Sequence, residues 1–180
     1  MMTLDRLLAS RDARHEMQMR MLADNPDKTL VCMTVVMPGS VKRNEVSLTV
    51  AHAAVEALKV AFAKEADAMV ERDLDTGYEA FLAVDMPLMQ VKRMTCDIED
   101  THPLGRLFDI DVIDAEGVPV SRDRAGRQAR RCLLCDRDAR YCMRTRQHSL
   151  QEIWQRIEQM VAGWRRDGHD ATGSDDNGRG

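Results

Sequence analysis

Aromatic residues make up only 4% of the 180-residue chain, with two Trp, two Tyr and three Phe. So few rings leave little to stack on bases, and no nucleic-acid-binding motif is recognisable, so nucleic acid is excluded from the expected partners. No uninterrupted apolar run approaches the roughly 20 residues that cross a bilayer. The opening stretch MMTLDRLLASRDARHEM is too charged for a secretion signal, and a cytoplasmic protein with no membrane partner is expected. The five cysteines are an odd number. Without a secretion signal they argue for reduced thiols or metal ligands over a disulfide framework. A Walker A pattern, GxxxxGK[ST], is absent, so any phosphate site must be built otherwise. Lysine is missing from Arg122 to Arg146, where nine arginines stand against only Asp123, Asp136 and Asp138. That segment is +6, leaving −10 on the rest of a chain whose net charge is −4. Arginine's planar fork suits bidentate contacts to phosphate or carboxylate. A polyanionic partner and a plain solvated basic face both fit this pattern.

What is present suffices for one globular domain, since 44% of the residues are hydrophobic. Leu4 to Leu22 carries apolar residues at helical spacing, broken by the charged SRDAR of Ser10 to Arg14, and reads as one or two helices. TLVCMTVVM, Thr29 to Met37, is rich in β-branched residues and ends at Pro38-Gly39, the pattern of a buried central strand entering a turn. The alanine-rich stretch Val46 to Val70, with a capping candidate at Asn44, predicts the longest helix. Tyr78 to Asp85, Met89 to Asp100 and RLFDIDVID, Arg106 to Asp114, predict strands, and Glu116-Gly117 a turn into Val118 to Val120. Ser149 to Trp164 predicts an amphipathic helix opened by a serine cap with Glu152 three residues later. This order implies an α+β, α/β-like fold, a mixed sheet flanked by helices. Its core spans residues 1–121, and a Cys/Arg-rich lobe with the terminal helix, residues 122–167, belongs to the same domain. Residues 168–180 predict a disordered tail.

Three constellations could carry chemistry. Asp109 and Asp111 lie two apart on a predicted strand, so they share a face with Leu107 and Ile113, their Cα atoms about 6.5–7 Å apart at roughly 3.3 Å per residue. Paired carboxylates repel, and a hard cation such as Mg²⁺ between them resolves the repulsion while leaving room for substrate oxygens. An exposed strand face would also show alternating acids. The second constellation is MPGSVKRNEV, where Gly39, Lys42 and Arg43 lie between a strand and a helix start, favourable for phosphate but equally an ordinary connection. The third is Cys132, Cys135, Cys142 and His148, a chemically sensible tetrahedral zinc set; the rival is reduced thiols packed in a loop-rich lobe. Cys32 and Cys96 read as core residues of strands.

At HPLGRLFDIDV, His102 to Val112, SRDRAGRQARRCLLC, Ser121 to Cys135, and the C-x5-H of Cys142 to His148, the chain resembles the apo-citrate lyase phosphoribosyl-dephospho-CoA transferases, the holo-acyl carrier protein synthases of citrate lyase. The resemblance extends to SRDAR at Ser10 to Arg14, to Gln18 and to PGSVK at Pro38 to Lys42. It departs at Ser40, where the family's turn usually has proline, at Met17, where an arginine is expected, and at Phe108, where tryptophan is usual.

The resemblance implies an enzyme of nucleotidyltransferase-like chemistry and fold. Its donor is 2′-(5″-triphosphoribosyl)-3′-dephospho-CoA, and the phosphoribosyl-dephospho-CoA part passes to a serine of the apo-acyl carrier protein subunit of citrate lyase, with release of pyrophosphate. On that basis Asp109 and Asp111 would hold Mg²⁺, and His102 or one of the acids would accept the serine proton. Arg106, Lys42, Arg11 and Arg14, with Gly39 and Gly105, would contact the phosphates, and Arg130 and Arg131 the carrier protein or phosphate. Two alternatives stand beside it: a non-enzymatic zinc-stabilised, arginine-rich module gripping RNA or an acidic protein, and a carrier-loading transferase of the malonate decarboxylase type.

Overall fold

The computed structural model describes residues 4–168, and the predicted tail lies almost wholly outside them. The apolar run after Lys28 forms β1 (Thr29–Val35), with its first five residues buried. Helix α2 (Glu45–Ala61) starts at Asn44, whose side chain accepts from the Ser47 amide while Ser47 reciprocates, a capping box. The helix stops at Phe62, where the chain leaves helical geometry. Ala66 to Val70, expected within this helix, instead open β2 (Ala66–Leu74), which pairs with β3 (Gly77–Val84) across the Asp75-Thr76 turn. Alanine continues past the stop, so composition alone extends the helix, while the sheet claims the residues beyond it.

Met89 to Asp100, expected as a strand, is helix α3 (Leu88–Thr101). Its buried residues Val91, Lys92, Thr95, Cys96 and Glu99 recur at helical spacing. Two of them are charged, which hid the stripe from a reading of apolar residues. A 3₁₀ turn, Gly105–Leu107, then leads into β4 (Phe108–Ile113).

The strands order as β2-β3-β1-β4, all neighbours antiparallel. The fold is therefore α+β as expected, with an antiparallel sheet in place of a mixed one, and β1 is interior. One face of the sheet, carrying Val31, Met33, Leu82, Ile110 and Val112, packs against α2, α3 and α5 (Leu150–Arg166) in the main core. The opposite face meets α1 (Leu4–Asp24), a single helix that runs straight through the charged SRDAR segment and is the longest in the chain. Here the packing is smaller: Met21 and Leu22 lie on Leu30, Cys32, Phe81, Ala83 and Ile113. Leu107, expected on the face of the two acids, belongs to the main core instead, because the strand begins one residue later.

After β4 the chain turns at Gly117, φ 82°, and Val118 to Val120 return beside it through a bridge of Ile113 with Pro119. The expected Ser149 and Glu152 capping box opens α5. Helix α4 (Ala139–Thr145) lies in the Cys/Arg-rich lobe. No helix among the described residues is long and apolar enough to cross a membrane.

Candidate active site and metal centre

Register places Asp109 opposite Thr34 and Asp111 opposite Cys32 on β1. Both acids therefore face α1, beyond the end of its small apolar cluster. Thr34 Oγ1 donates to Asp109 Oδ2 at 3.4 Å. Asp109 is exposed and Asp111 half-buried. Burial, then the charge of Asp109, raises the Asp111 carboxyl above its ordinary value. The pair thus has the residual repulsion that a cation relieves, and two carboxylates of unequal solvation suit a hard divalent ion or a proton acceptor.

On the same face Glu79 of β3 is 1% exposed and anchors two arginines. Arg14 Nε of α1 donates to Glu79 Oε1 at 2.7 Å, and Arg72 of β2 pairs with Oε2 at 2.7 Å. Helix α1 is fixed further by Ser10 and Thr76, 2.7 Å apart through their hydroxyls. Gln18, one turn beyond Arg14, hydrogen-bonds the Cys32 thiol, which burial pushes up to about 12; Cys32 is a neutral core thiol. The structure therefore brings Arg14, Asp109 and Asp111 to one face. Arg11 is exposed one helical turn before Arg14. Lys42 follows β1 at the Asp109 end of the sheet, where burial lowers its pKa and its ammonium donates to the Met37 carbonyl. Gly39 has φ +77°, and a Cβ there would touch Leu150 at 3.6 Å.

The other predicted site residues lie elsewhere. His102 stacks between Phe108 and Trp164, with ring centroids 4.8 and 4.7 Å away, and its Nδ1 accepts from the Leu104 amide at 3.0 Å. Phe108 points into the main core, so the imidazole lies on the far side of β4 from the two acids. Gly105 is a packing glycine: a Cβ would meet the Glu99 carbonyl at 2.5 Å. Arg106 follows it into a cleft of about 450 Å³ beside α5, also lined by Arg122, Arg130, Arg131 and Arg156.

Arg130 is largely structural. It donates to the Phe108 carbonyl at 2.6 Å and pairs with Glu99, itself buried and accepting from the Ile110 amide at 2.9 Å. Val120 donates to the Val112 carbonyl at 2.8 Å. Three outward backbone groups of β4, the Phe108 and Val112 carbonyls and the Ile110 amide, are thus satisfied, which leaves that sheet edge partly covered.

Glu79, Arg72, Glu99 and Arg156 were missed by sequence reasoning. A lone acid inside the apolar YEAFLAV strand was the available signal for Glu79. Glu99 sat in a segment read as a strand, and Arg156 has no distinguishing neighbour in sequence.

In the arginine-rich lobe one ligand atom each from Cys132, Cys135, Cys142 and His148 lie within 4.8 Å of one another. The Cys135 and Cys142 sulfurs are 3.6 Å apart and His148 Nε2 is 3.4 Å from Cys135 Sγ. Zinc bonds of about 2.3 Å to sulfur and 2.0–2.1 Å to nitrogen, set tetrahedrally, impose separations of about 3.8 and 3.5 Å, close to the two made by Cys135. The Leu134 amide points at Cys132 Sγ from 3.5 Å, a donor that favours thiolate. The lobe needs such a clasp, since Cys142 is the only buried hydrophobic residue between residues 122 and 148. Among the described residues this is the only group of three or more potential ligands so gathered.

An antiparallel α+β domain with a carboxylate pair beneath an arginine-bearing helix, a separate arginine cleft and a thiol–imidazole quartet defines a protein with side chains suited to anionic groups and metal ions. The family model of the apo-citrate lyase phosphoribosyl-dephospho-CoA transferases matches residues 2–164, and the chain belongs to that transferase family. It is 40% identical over 163 residues to a protein of Vibrio cholerae named "Probable apo-citrate lyase phosphoribosyl-dephospho-CoA transferase", covering 88% of this chain and 91% of that one. It is 38% identical over 176 residues to the enzyme named apo-citrate lyase phosphoribosyl-dephospho-CoA transferase from Citrobacter koseri, covering 96% and 91%. With the same-named protein of Escherichia coli O6:K15:H31 it shares 36% identity over 162 residues, 88% of each.

Proposed function

We propose that the protein transfers the phosphoribosyl-dephospho-CoA group from 2′-(5″-triphosphoribosyl)-3′-dephospho-CoA to a serine of the apo-acyl carrier protein subunit of citrate lyase, releasing pyrophosphate. The observation that carries this reading is the convergence of Asp109, Asp111 and Arg14 on one sheet face in a chain of this family. The oxygen donors of the two acids fit Mg²⁺, which when bound would neutralise phosphate charge.

Arg14, held by Glu79, presents a fixed cation beside the acids, and Arg11 adds a second one turn away. Asp111, with its raised affinity for protons, is the better placed of the two acids to take the serine proton. The stacking of His102 in the apolar seam by Trp164 favours a positioning role for it over that of the base. Lys42, which follows β1 at the Asp109 end of the sheet, and the Gly39 turn before it would contact the phosphates from that end.

Zinc in the Cys132, Cys135, Cys142 and His148 quartet would be structural, since four protein ligands leave no open position. The test is intact mass of the apo carrier subunit after incubation with enzyme, Mg²⁺ and the triphosphoribosyl donor. A shift equal to the prosthetic group is expected with citrate lyase carrier, and none with the carrier of malonate decarboxylase. An unmodified citrate lyase carrier would overturn the proposal.

A further inference from the structure

The arginine cleft on the far side of β4 from the acids has more positive charge than the protein itself compensates. Arg122 is spent on Glu99 and Asp100, at 2.6 and 2.7 Å, and Arg130 on Glu99 and the Phe108 carbonyl. Arg106, half-buried behind Gly105, and Arg156, exposed on α5, line the same cleft with no ion pair among the described residues. Burial, then the neighbouring Arg130, lowers the Arg106 pKa, with Asp100 nearby opposing the shift. Such groups, held from two different elements around about 450 Å³, gain most from a compact multiply charged anion that accepts bidentate hydrogen bonds.

We infer that this cleft is a second, metal-independent phosphate site, which takes the diphosphate link of the dephospho-CoA portion of the donor while the triphosphate meets the acid face. The inference rests on the donor proposed above. In that donor the diphosphate leaves the 5′ position of the adenosine ribose, and the triphosphate is carried on a second ribose attached at its 2′ position. The two phosphate groups are therefore distant in the molecule and require separate sites. A diphosphate that does not react needs no metal, and guanidinium groups suffice for it.

The cleft is tested by equilibrium titration of the full chain with dephospho-CoA, ADP and pantetheine, without Mg²⁺. Dephospho-CoA and ADP are expected to bind and pantetheine, which lacks phosphate, not to. Arg156→Gln, at an exposed position that leaves the fold intact, and Arg106→Gln are each expected to weaken binding about tenfold, whereas Asp109→Asn leaves it unchanged. Equal affinity of Arg156→Gln and the parent, or an equal loss in Asp109→Asn, would sink the inference. So would a cleft that ignores dephospho-CoA but whose arginine variants lose affinity for the carrier protein, since that defines a docking surface. Because no transfer is required, failed binding with intact carrier loading overturns this site alone, and the reverse result overturns the proposed reaction alone.

Discussion

Replacing Asp111 by asparagine separates two consequences of its position. If the acid pair carries transfer, Asp109→Asn and Asp111→Asn each lower the rate of carrier loading by about a hundredfold or more, as expected for losing a metal ligand or base. Stability moves the other way for Asp111. Burial and Asp109 raise its folded pKa, so between the unfolded value of about 3.9 and the raised folded one the native state binds more protons than the unfolded chain. Stability is therefore lost as pH rises through that window. In Mg²⁺-free buffer at pH 7, Asp111→Asn is expected to raise the melting temperature by about 2–4 °C, a gain that vanishes near pH 3. Glu79 has the opposite character. Its carboxylate compensates Arg14 and Arg72, and Glu79→Ala leaves both guanidiniums without their partner, at a cost of about 3–5 kcal/mol in urea unfolding.

Among the elements, the 3₁₀ turn is tightly packed, and the Cys/His lobe has little apolar core of its own. Gly105→Ala drives a methyl group to 2.5 Å from the Glu99 carbonyl, and a loss of about 1–3 kcal/mol in chemical denaturation is expected. For the lobe, tag-free protein is expected to contain one zinc per chain by elemental analysis, and a strong chelator to lower its melting temperature; a substoichiometric zinc content would leave only packed thiols. How much could be read from sequence differed by element. Strand β1, the Asn44 cap and the Ser149 capping box were legible because their signals are local: a β-branched run before Pro-Gly, and polar caps just before a helical stretch. Helix α3 was not, because its buried stripe includes Lys92 and Glu99, whose burial depends on partners far along the chain. The acid pair was legible as a shared strand face. Its separation from His102 was not: alternation puts Phe108 on the other face, but the packing of His102 on that ring depends on the turn after α3 and on Trp164, far along the chain.

At the scale of the whole molecule, opposite charges are segregated along the chain, with the exposed arginines of α4 and its flanks set away from the acidic remainder. An acidic carrier protein would meet Arg140 and Arg144 first. Reversing both to glutamate is expected to raise the KM for carrier about fivefold at low salt with kcat unchanged, the difference shrinking as ionic strength rises. Arg130→Glu would not report docking, because it breaks the Glu99 and Phe108 contacts that cover β4. That partly covered edge limits how copies of the chain can join. β2 is the opposite margin of the sheet, and strand addition between two molecules through β2 uses up that edge of each. Pairing through β2 forms a closed two-fold dimer, and a growing fibril would have to add each further copy at the partly covered β4 edge.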